Sequence, residues 1–186
     1  MNDSMSPDSK INDVTIYTDG SASPNPGKGG YGTVVIQDDR RTELSQGYRK
    51  TTNNRMEILG AIAGLDAIEG KNLNIRIVTD SQYVAKMFNE GHAGRWKNNR
   101  WMRTKKDRAM NPDLWNRLIE VAGKHSVQFE WVKGHAGHTE NERCDVLATQ
   151  AGMKDFLLPD EGYEDPDKHY PKAEGSQAVF DLFGMQ

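Results

Sequence analysis

The chain has 186 residues and a mass of 20.9 kDa, enough for one domain of ordinary size and a terminal extension. With 35% hydrophobic and 27% charged residues it is too polar for a membrane protein. We find no apolar run of bilayer length and no signal-peptide pattern in the first ten residues, so we expect a cytoplasmic protein. The single cysteine, Cys144, excludes an internal disulfide framework and a cysteine-rich zinc site, so any metal should have oxygen ligands.

The net charge of −3 is unevenly distributed along the chain. Residues 155–186 contain eight acidic residues and two lysines, whereas residues 95–108 contain seven basic residues and one acid. A segment as basic as 95–108 favours an anionic polymer as partner. We expect a disordered N-terminus over 1–13, one folded domain over 14–154 and an acidic tail over 155–186.

Hydrophobic periodicity predicts an alternation of strands and helices. A strand over 14–19 is followed by a loop over 20–30, and strands over 31–37 and 42–48 complete an antiparallel meander. The remaining predicted elements are a helix over 54–69, a strand over 74–79, helices over 81–89 and 111–122, a strand over 127–132 and a helix over 140–153. This order predicts an α/β fold, with a five-stranded mixed sheet flanked by helices.

Two short blocks, Thr18-Asp19-Gly20-Ser21 and Thr79-Asp80-Ser81, place an aspartate at the end of an apolar strand. If the two strands are neighbours, the carboxylates converge beyond the sheet edge, where α/β proteins bind ligands. Taken singly, each aspartate also fits a turn or a helix cap.

Three other polar residues have similar double interpretations. Glu57 fits a capping box at the start of its helix, and Asp145 fits a solvated helix edge. His135, in a glycine-rich loop, suits a proton carrier, whereas a zinc site with His138 and Cys144 lacks a fourth ligand. The G-x-G-x-x-G match over 27–32 precedes a strand rather than a helix, which excludes a dinucleotide fingerprint.

Together these residues resemble the type 1 ribonuclease H family. The similar blocks are Tyr17-Thr18-Asp19-Gly20-Ser21, Asn25 to Gly32, Thr51 to Glu57, Thr79 to Val84, and Trp131 to His138 continued by Asn141 to Asp145. They lie within residues 14–153, so the resemblance implies a ribonuclease H-like fold with a catalytic domain over 14–154.

The resemblance also implies a mechanism. The family hydrolyses the RNA strand of RNA/DNA hybrids with two Mg²⁺ ions, for which Mn²⁺ is a substitute, and leaves 5′-phosphate and 3′-hydroxyl ends. Its four metal-binding carboxylates fall on Asp19, Glu57, Asp80 and Asp145, and its mobile histidine falls on His135. Clustered carboxylates repel one another and need a compensating cation, which agrees with this assignment. The alternatives are a non-catalytic hybrid-binding module and a DNA-processing enzyme on the same fold.

For the substrate, the resemblance implies two groups of contacts. Asn25, Asn53, Asn54 and Gln82 would read the minor groove, Thr52 and Arg55 would bind a DNA phosphate, and Lys133 would assist from the other side. The segment 95–108 resembles the family's basic protrusion, in which the expected DNA contacts are Trp96, Lys97, Arg100, Trp101, Lys105 and Lys106. A tryptophan there either packs on a sugar or maintains the protrusion's own fold.

The tail lies outside the resemblance. Its segment Gln177–Phe183 loosely resembles peptides that dock on bacterial sliding clamps, and we expect such docking as one role. The alternatives are a segment that folds back on the domain or is disordered, and an acidic shield over the basic surface. The family suggests a monomer.

Overall fold

The computed structural model describes residues 13–170. Its strands are β1 (Val14–Ala22), β2 (Gly27–Gln37), β3 (Arg40–Thr51), β4 (Asn74–Thr79) and β5 (Ser126–Trp131). Its helices are α1 (Asn53–Asp66), α2 (Gln82–Asn89), α3 (His92–Asn98), α4 (Pro112–Ala122), α5 (Thr139–Gly152), α6 (Glu161–Glu164) and α7 (Pro166–His169). The described residues exclude nearly all of the predicted N-terminal segment. They also exclude the whole of Gln177–Phe183, the segment that resembles clamp-binding peptides.

The strands form one sheet in the order β3-β2-β1-β4-β5. The β1–β2 and β2–β3 pairs are antiparallel, whereas β1–β4 and β4–β5 are parallel. This arrangement confirms the predicted five-stranded mixed sheet. It also makes β1 and β4 neighbours that run in the same direction, which is the condition for their aspartates to converge.

The predicted loop over 20–30 is wrong at both ends. Strand β1 continues to Ala22 and β2 begins at Gly27, so only residues 23–26 connect them. Gly20, Ser21 and Ala22 pair with Tyr31, Gly30 and Gly29 across the hairpin. Glycine lowers the strand propensity of this stretch, and the pairing with the opposite strand compensates for it.

Helices cover both faces of the sheet. Helix α5 packs on β1, β2 and β3, with Val34, Cys144 and Leu147 buried between them. Helices α1, α2 and α4 cover the other face and enclose the larger core, in which Trp115 and Leu118 of α4 are fully buried. Each such side chain stabilises the fold by about 2 to 3 kcal/mol.

The helix starts decide between the alternative interpretations of two acids. Thr52 is the N-cap of α1 and accepts a 3.4 Å bond from the Arg55 backbone N–H, so Glu57 is not needed as a cap. Ser81 is the N-cap of α2, with a bond of the same length from Val84, so Asp80 does not cap that helix. Both carboxylates are therefore available for another role.

The segment after α5 packs against the domain as far as the structure describes it. Leu158 donates its backbone N–H to Gly47 and accepts from the Arg49 N–H, at 3.1 and 2.9 Å, which extends the hydrogen bonding of β3. Asp160 is only 4% exposed. The expected boundary after residue 154 therefore separates residues that pack together.

Within 13–170 there is no helix of the length and apolarity that crossing a membrane requires.

Candidate active site

Three carboxylates from three different elements meet at one end of the sheet. Asp19 lies in β1, two residues after the pair formed by Tyr17 and Val78, and Asp80 follows directly after β4. Glu57 reaches the same place from α1. One oxygen of each carboxylate lies within 4.8 Å of the others. No other cluster of potential metal ligands occurs between residues 13 and 170.

Burial and the charges of neighbouring carboxylates raise the pKa values of all three acids. The pKa of Asp19 rises to about 7, chiefly because the side chain is buried and also because it faces Asp80. Burial, followed by the charges of Asp19 and Asp80, places the pKa of Glu57 well above its usual value. Burial also raises the pKa of Asp80. Without a cation the cluster therefore retains protons that free carboxylic acids would lose.

Asp145 and His135 lie beside this cluster. Asp145 is half-buried on α5, and its charge contributes to the raised pKa values of Asp19 and Asp80. His135 opposes both of these shifts from the loop between β5 and α5. It is exposed and has a left-handed backbone with φ 53°. Asp145 is outside the tight group of three, so the structure places it at the edge of the cluster.

These side chains suit a hard divalent cation. Carboxylate oxygens are the preferred ligands of Mg²⁺ and Ca²⁺, and a cation would compensate the repulsion that raises the pKa values. A zinc site with His135, His138 and Cys144 does not form. Cys144 is completely buried between α5 and the sheet, whereas both histidines are exposed.

Several residues that the sequence analysis missed support the three acids. The Thr79 hydroxyl donates to Glu57 at 3.4 Å, and the Trp131 indole donates to the backbone oxygen of Asp80 at 2.9 Å. The buried Asn141 side chain lies close enough to the Asp80 carboxylate to lower its pKa, and Asn141 Oδ1 has no hydrogen-bond partner among the described residues. Asn141 precedes Asp145 by one helical turn, and this spacing was a usable signal.

The backbone of Gly134 comes close to the Asp80 side chain. A Cβ atom at this position would lie 2.6 Å from Asp80 Oδ2, closer than real Cβ contacts allow. The absence of a side chain at residue 134 therefore makes room for the carboxylate.

The expected minor-groove residues lie around the start of α1. Asn25 accepts a bond from the Asn53 backbone N–H at 3.3 Å, and the Asn53 side chain accepts from the Ala22 N–H at 2.6 Å. Asn54 lines a groove of about 640 Å³ between α1, α2 and α3. Gln82 is exposed at the start of α2. All four are near the surface at the same end of the sheet as the acids.

The expected phosphate contacts divide into exposed and buried side chains. Thr52 is half-buried as the cap of α1, and Lys133 is exposed. The Arg55 side chain is only 1% exposed and pairs with Asp113 and Asp160. This corrects the expectation for Arg55, since a guanidinium that is buried between two carboxylates cannot reach a phosphate of the substrate.

The basic segment begins within α3 (His92–Asn98), a helix that the sequence analysis did not predict. Trp96 and Trp101 are 9% and 4% exposed and belong to the main core, so they maintain the fold of the segment and are not surface contacts. Trp96 packs edge-on against Trp115. Arg100, Lys105 and Lys106 are exposed, and Lys97 lies 3.8 Å from Glu120. The charged side chains therefore form the outer surface of the segment.

Comparison with known proteins identifies the family. The model of the RNase H family matches residues 11–153. Ribonuclease H of Trichodesmium erythraeum (strain IMS101) is 50% identical over 155 residues, which cover 83% of this chain and 98% of that protein. Ribonuclease H of Desulforamulus reducens is 53% identical over 147 residues, covering 79% and 92%.

Solved structures agree with the sequence relatives. LC9-RNase H1, a type 1 RNase H with the type 2 active-site motif, has a TM-score of 0.68 and 28% identity. The similarity covers 92% of this chain and 86% of that one. The chain therefore belongs to the RNase H family, as a ribonuclease H enzyme of type 1 and of the bacterial kind.

Proposed function

We propose that this enzyme is an endoribonuclease that hydrolyses the RNA strand of RNA/DNA hybrids, and that it uses two Mg²⁺ ions and leaves 5′-phosphate and 3′-hydroxyl ends. Membership of the RNase H family and the convergence of Asp19, Glu57 and Asp80 support this proposal. The observation on which it depends most is that three oxygens from these residues lie within 4.8 Å of one another.

The carboxylates would hold the metal ions. Asp19, Glu57 and Asp80 form the closest group, and Asp145 adds a fourth carboxylate from α5. Bound divalent cations supply compensating charge, activation of the attacking water and stabilisation of the leaving 3′-oxygen. Thr79, Trp131 and Asn141 orient Glu57 and Asp80 through the contacts described above. Mn²⁺ is the expected substitute for Mg²⁺.

His135 would transfer protons at the edge of the site. It is exposed, it lies close enough to affect the pKa values of Asp19 and Asp80, and its loop is rich in glycine. A histidine side chain can both accept and donate a proton in general acid–base catalysis. This role suits a residue that is not among the metal ligands.

Hybrid recognition would use the amides at the start of α1 and α2. Asn25, Asn53, Asn54 and Gln82 can each donate to and accept from a ribose hydroxyl or a base edge. Thr52 and Lys133 would contact the phosphate backbone. The exposed cations Arg100, Lys105 and Lys106, together with Lys97, would extend contact along the DNA strand.

Three expectations concern the protein beyond its active site. We expect a monomer in the cytoplasm, and we expect the segment Gln177–Phe183, which resembles clamp-binding peptides, to mediate docking on a sliding clamp. Retention of a clamp by a peptide of residues 174–186, lost on Phe183→Ala, would support docking. The absence of any retention would contradict it.

Cleavage of an end-labelled RNA strand tests the proposed function. The RNA is presented with Mg²⁺ as an RNA/DNA hybrid, as a single strand and as an RNA duplex. We expect cleavage of the hybrid alone and its loss in Asp80→Asn, whereas the control Asp155→Asn, at an exposed position after α5, stays active. Tight hybrid binding without cleavage at any Mg²⁺ concentration would instead indicate a binding module.

A further inference from the structure

The side chain of Arg55 is held by a residue from the far end of the described chain. Asp160 Oδ2 accepts from Arg55 Nε at 2.7 Å, and Oδ1 accepts from Nη2 at the same distance. Oδ2 also accepts a 2.6 Å bond from the Thr51 hydroxyl. One buried carboxylate therefore connects the last residue of β3 with the first turn of α1.

Contacts from α4 and α6, and a 3.4 Å bond from Nη1 to Asn111 Oδ1, complete the enclosure of the guanidinium. Asp113 of α4 accepts from Nη1 and Nη2 at 3.0 and 2.7 Å. The backbone of Gly162 in α6 covers the pair, since a Cβ there would lie 2.6 Å from Arg55 Nη2. Arg55 thus has a charged partner on either side. The segment after α5 supplies one of these partners, Asp160, and the Gly162 backbone that covers the guanidinium.

The residues between Thr51 and Arg55 are Thr52, Asn53 and Asn54, which include two of the amides expected to read the hybrid. Asp160 bonds to both ends of this short stretch, so it restricts the direction in which the first turn of α1 points. On the other side Asn53 is bonded to Ala22 and Asn25. The stretch is therefore fixed from the hairpin and from the C-terminal segment at once.

We propose that Asp160 is a positioning residue for hybrid recognition, which acts through Thr51 and Arg55 on Asn53 and Asn54. It lies beyond residues 11–153, the part of the chain that the family model matches. Removal of its carboxylate leaves the buried Arg55 with one charged partner in place of two, and the guanidinium then turns toward solvent. The first turn of α1 shifts with it, and the amides lose their alignment with the minor groove. This inference rests on the proposed function.

The test compares Asp160→Ala and Asp160→Asn with Asp167→Asn, a matched control at an exposed acid of the same segment. Cleavage of hybrid is measured well below the midpoint of thermal unfolding of each variant. For Asp160→Ala we expect KM to rise about tenfold while kcat stays within about twofold, since each of the two misaligned amides, Asn53 and Asn54, costs roughly a factor of three. Asp160→Asn keeps the shape and one acceptor, so its KM should lie between those of the wild type and Asp160→Ala.

Two additional measurements distinguish a positioning role of Asp160 from a general loss of protein stability. Affinity for Mg²⁺ without nucleic acid, by calorimetry, should be unchanged in Asp160→Ala, because Asp19 and Asp80 extend from the sheet and Glu57 is bonded to Thr79. Affinity for hybrid in EDTA should fall by the same factor by which KM rises. An unchanged KM and hybrid affinity with a lower unfolding temperature would overturn the proposal, as would a parallel fall in kcat and Mg²⁺ affinity.

Failure of the proposed function gives a different result. If the wild type binds hybrid but does not cut it, the endoribonuclease proposal falls, whereas the effect of Asp160 is still read from hybrid affinity. If the wild type neither binds nor cuts hybrid, both proposals fall.

Discussion

The indole Nε1 of Trp131 donates a 2.9 Å hydrogen bond to the backbone oxygen of Asp80. Trp131 is the last residue of β5, and the next backbone N–H, that of Val132, donates to Thr79 at 3.0 Å. The end of β5 is therefore bonded to the last residue of β4 and to the residue that follows it. These two bonds fix the backbone from which the Asp80 carboxylate projects.

Replacement of Trp131 by Phe should lower kcat for hybrid cleavage about fivefold, because it removes one hydrogen bond worth about 1 kcal/mol and retains the aromatic ring. KM should change little. Steady-state kinetics with Mg²⁺ provide the measurement, and Trp131→Phe activity equal to that of the wild type would show that the bond does not orient Asp80.

The raised pKa of Asp19 predicts how the metal-free protein depends on pH. The folded state binds this proton more tightly than the unfolded chain does, with a pKa of about 7 in place of 3.8. The free energy of unfolding should therefore fall as pH rises through the interval between these values. The charges of Asp80, Asp145 and His135 act on the same carboxylate, and the neighbouring Glu57 also has a raised pKa.

Asp19→Asn removes this buried charge and should raise the unfolding temperature of the metal-free protein at pH 8 by about 3 to 6 °C. At pH 4 the two proteins should differ much less. Thermal unfolding in EDTA at both pH values tests this, with Asp39→Asn in the exposed β2–β3 turn as control. Equal shifts at the two pH values would contradict the assignment.

Gly134→Ala should displace the Asp80 carboxylate, since the added Cβ would lie 2.6 Å from Asp80 Oδ2. We expect Mg²⁺ affinity to fall about tenfold, as is typical when a neighbour of a metal ligand changes. The free energy of unfolding should change by less than about 1 kcal/mol. The control is Gly94→Ala, where the Cβ meets open space, and calorimetric Mg²⁺ titration provides the comparison.

The exposed lysines of the basic segment should determine how hybrid binding depends on salt. In Lys105→Ala/Lys106→Ala, the slope of log Kd against log salt concentration should fall by about 1 to 2, because each lost phosphate contact contributes about 0.9. Lys71→Ala/Lys124→Ala, with the same charge change in exposed loops at the opposite end of the sheet, should keep the wild-type slope. Equal slopes in all three proteins would exclude the segment from binding.

Trp101 should matter for stability more than for substrate contact. It is 4% exposed, and Trp101→Ala should lower the free energy of unfolding by about 3 kcal/mol. Met110→Ala, at a position that is 67% exposed, should cost much less. Urea unfolding of both variants distinguishes a core residue from a surface contact.

The sheet and the convergence of Asp19 and Asp80 were predictable because each depends on a local pattern, whereas Glu57 was assigned only through the family resemblance. Alternating apolar residues mark β1 and β4, and an aspartate stands in or just after each strand. Neighbouring parallel strands then bring Asp19 and Asp80 together, and this convergence does not depend on the conformation of the connecting loops. The extension of β1 to Ala22 was missed, since a glycine-rich hairpin has little strand propensity of its own.

The environment of Arg55 could not be predicted from its neighbours in sequence. Its partners Asp113 and Asp160 lie 58 and 105 residues away. Trp96 and Trp101 raise a similar difficulty, because tryptophans between basic residues suit a nucleic-acid surface and a core equally well. Only their packing with Trp115 and the rest of the core decides between the two.

The burial of Cys144 makes this enzyme convenient for site-specific labelling. It is the single cysteine of the chain, it is completely buried, and burial raises the pKa of its thiol, so it reacts slowly with thiol reagents. A second cysteine introduced at an exposed position such as Lys105 would therefore react with a thiol-specific fluorophore while Cys144 stays unlabelled. The approach of the basic segment to a hybrid could then be followed optically, without first deleting a native thiol.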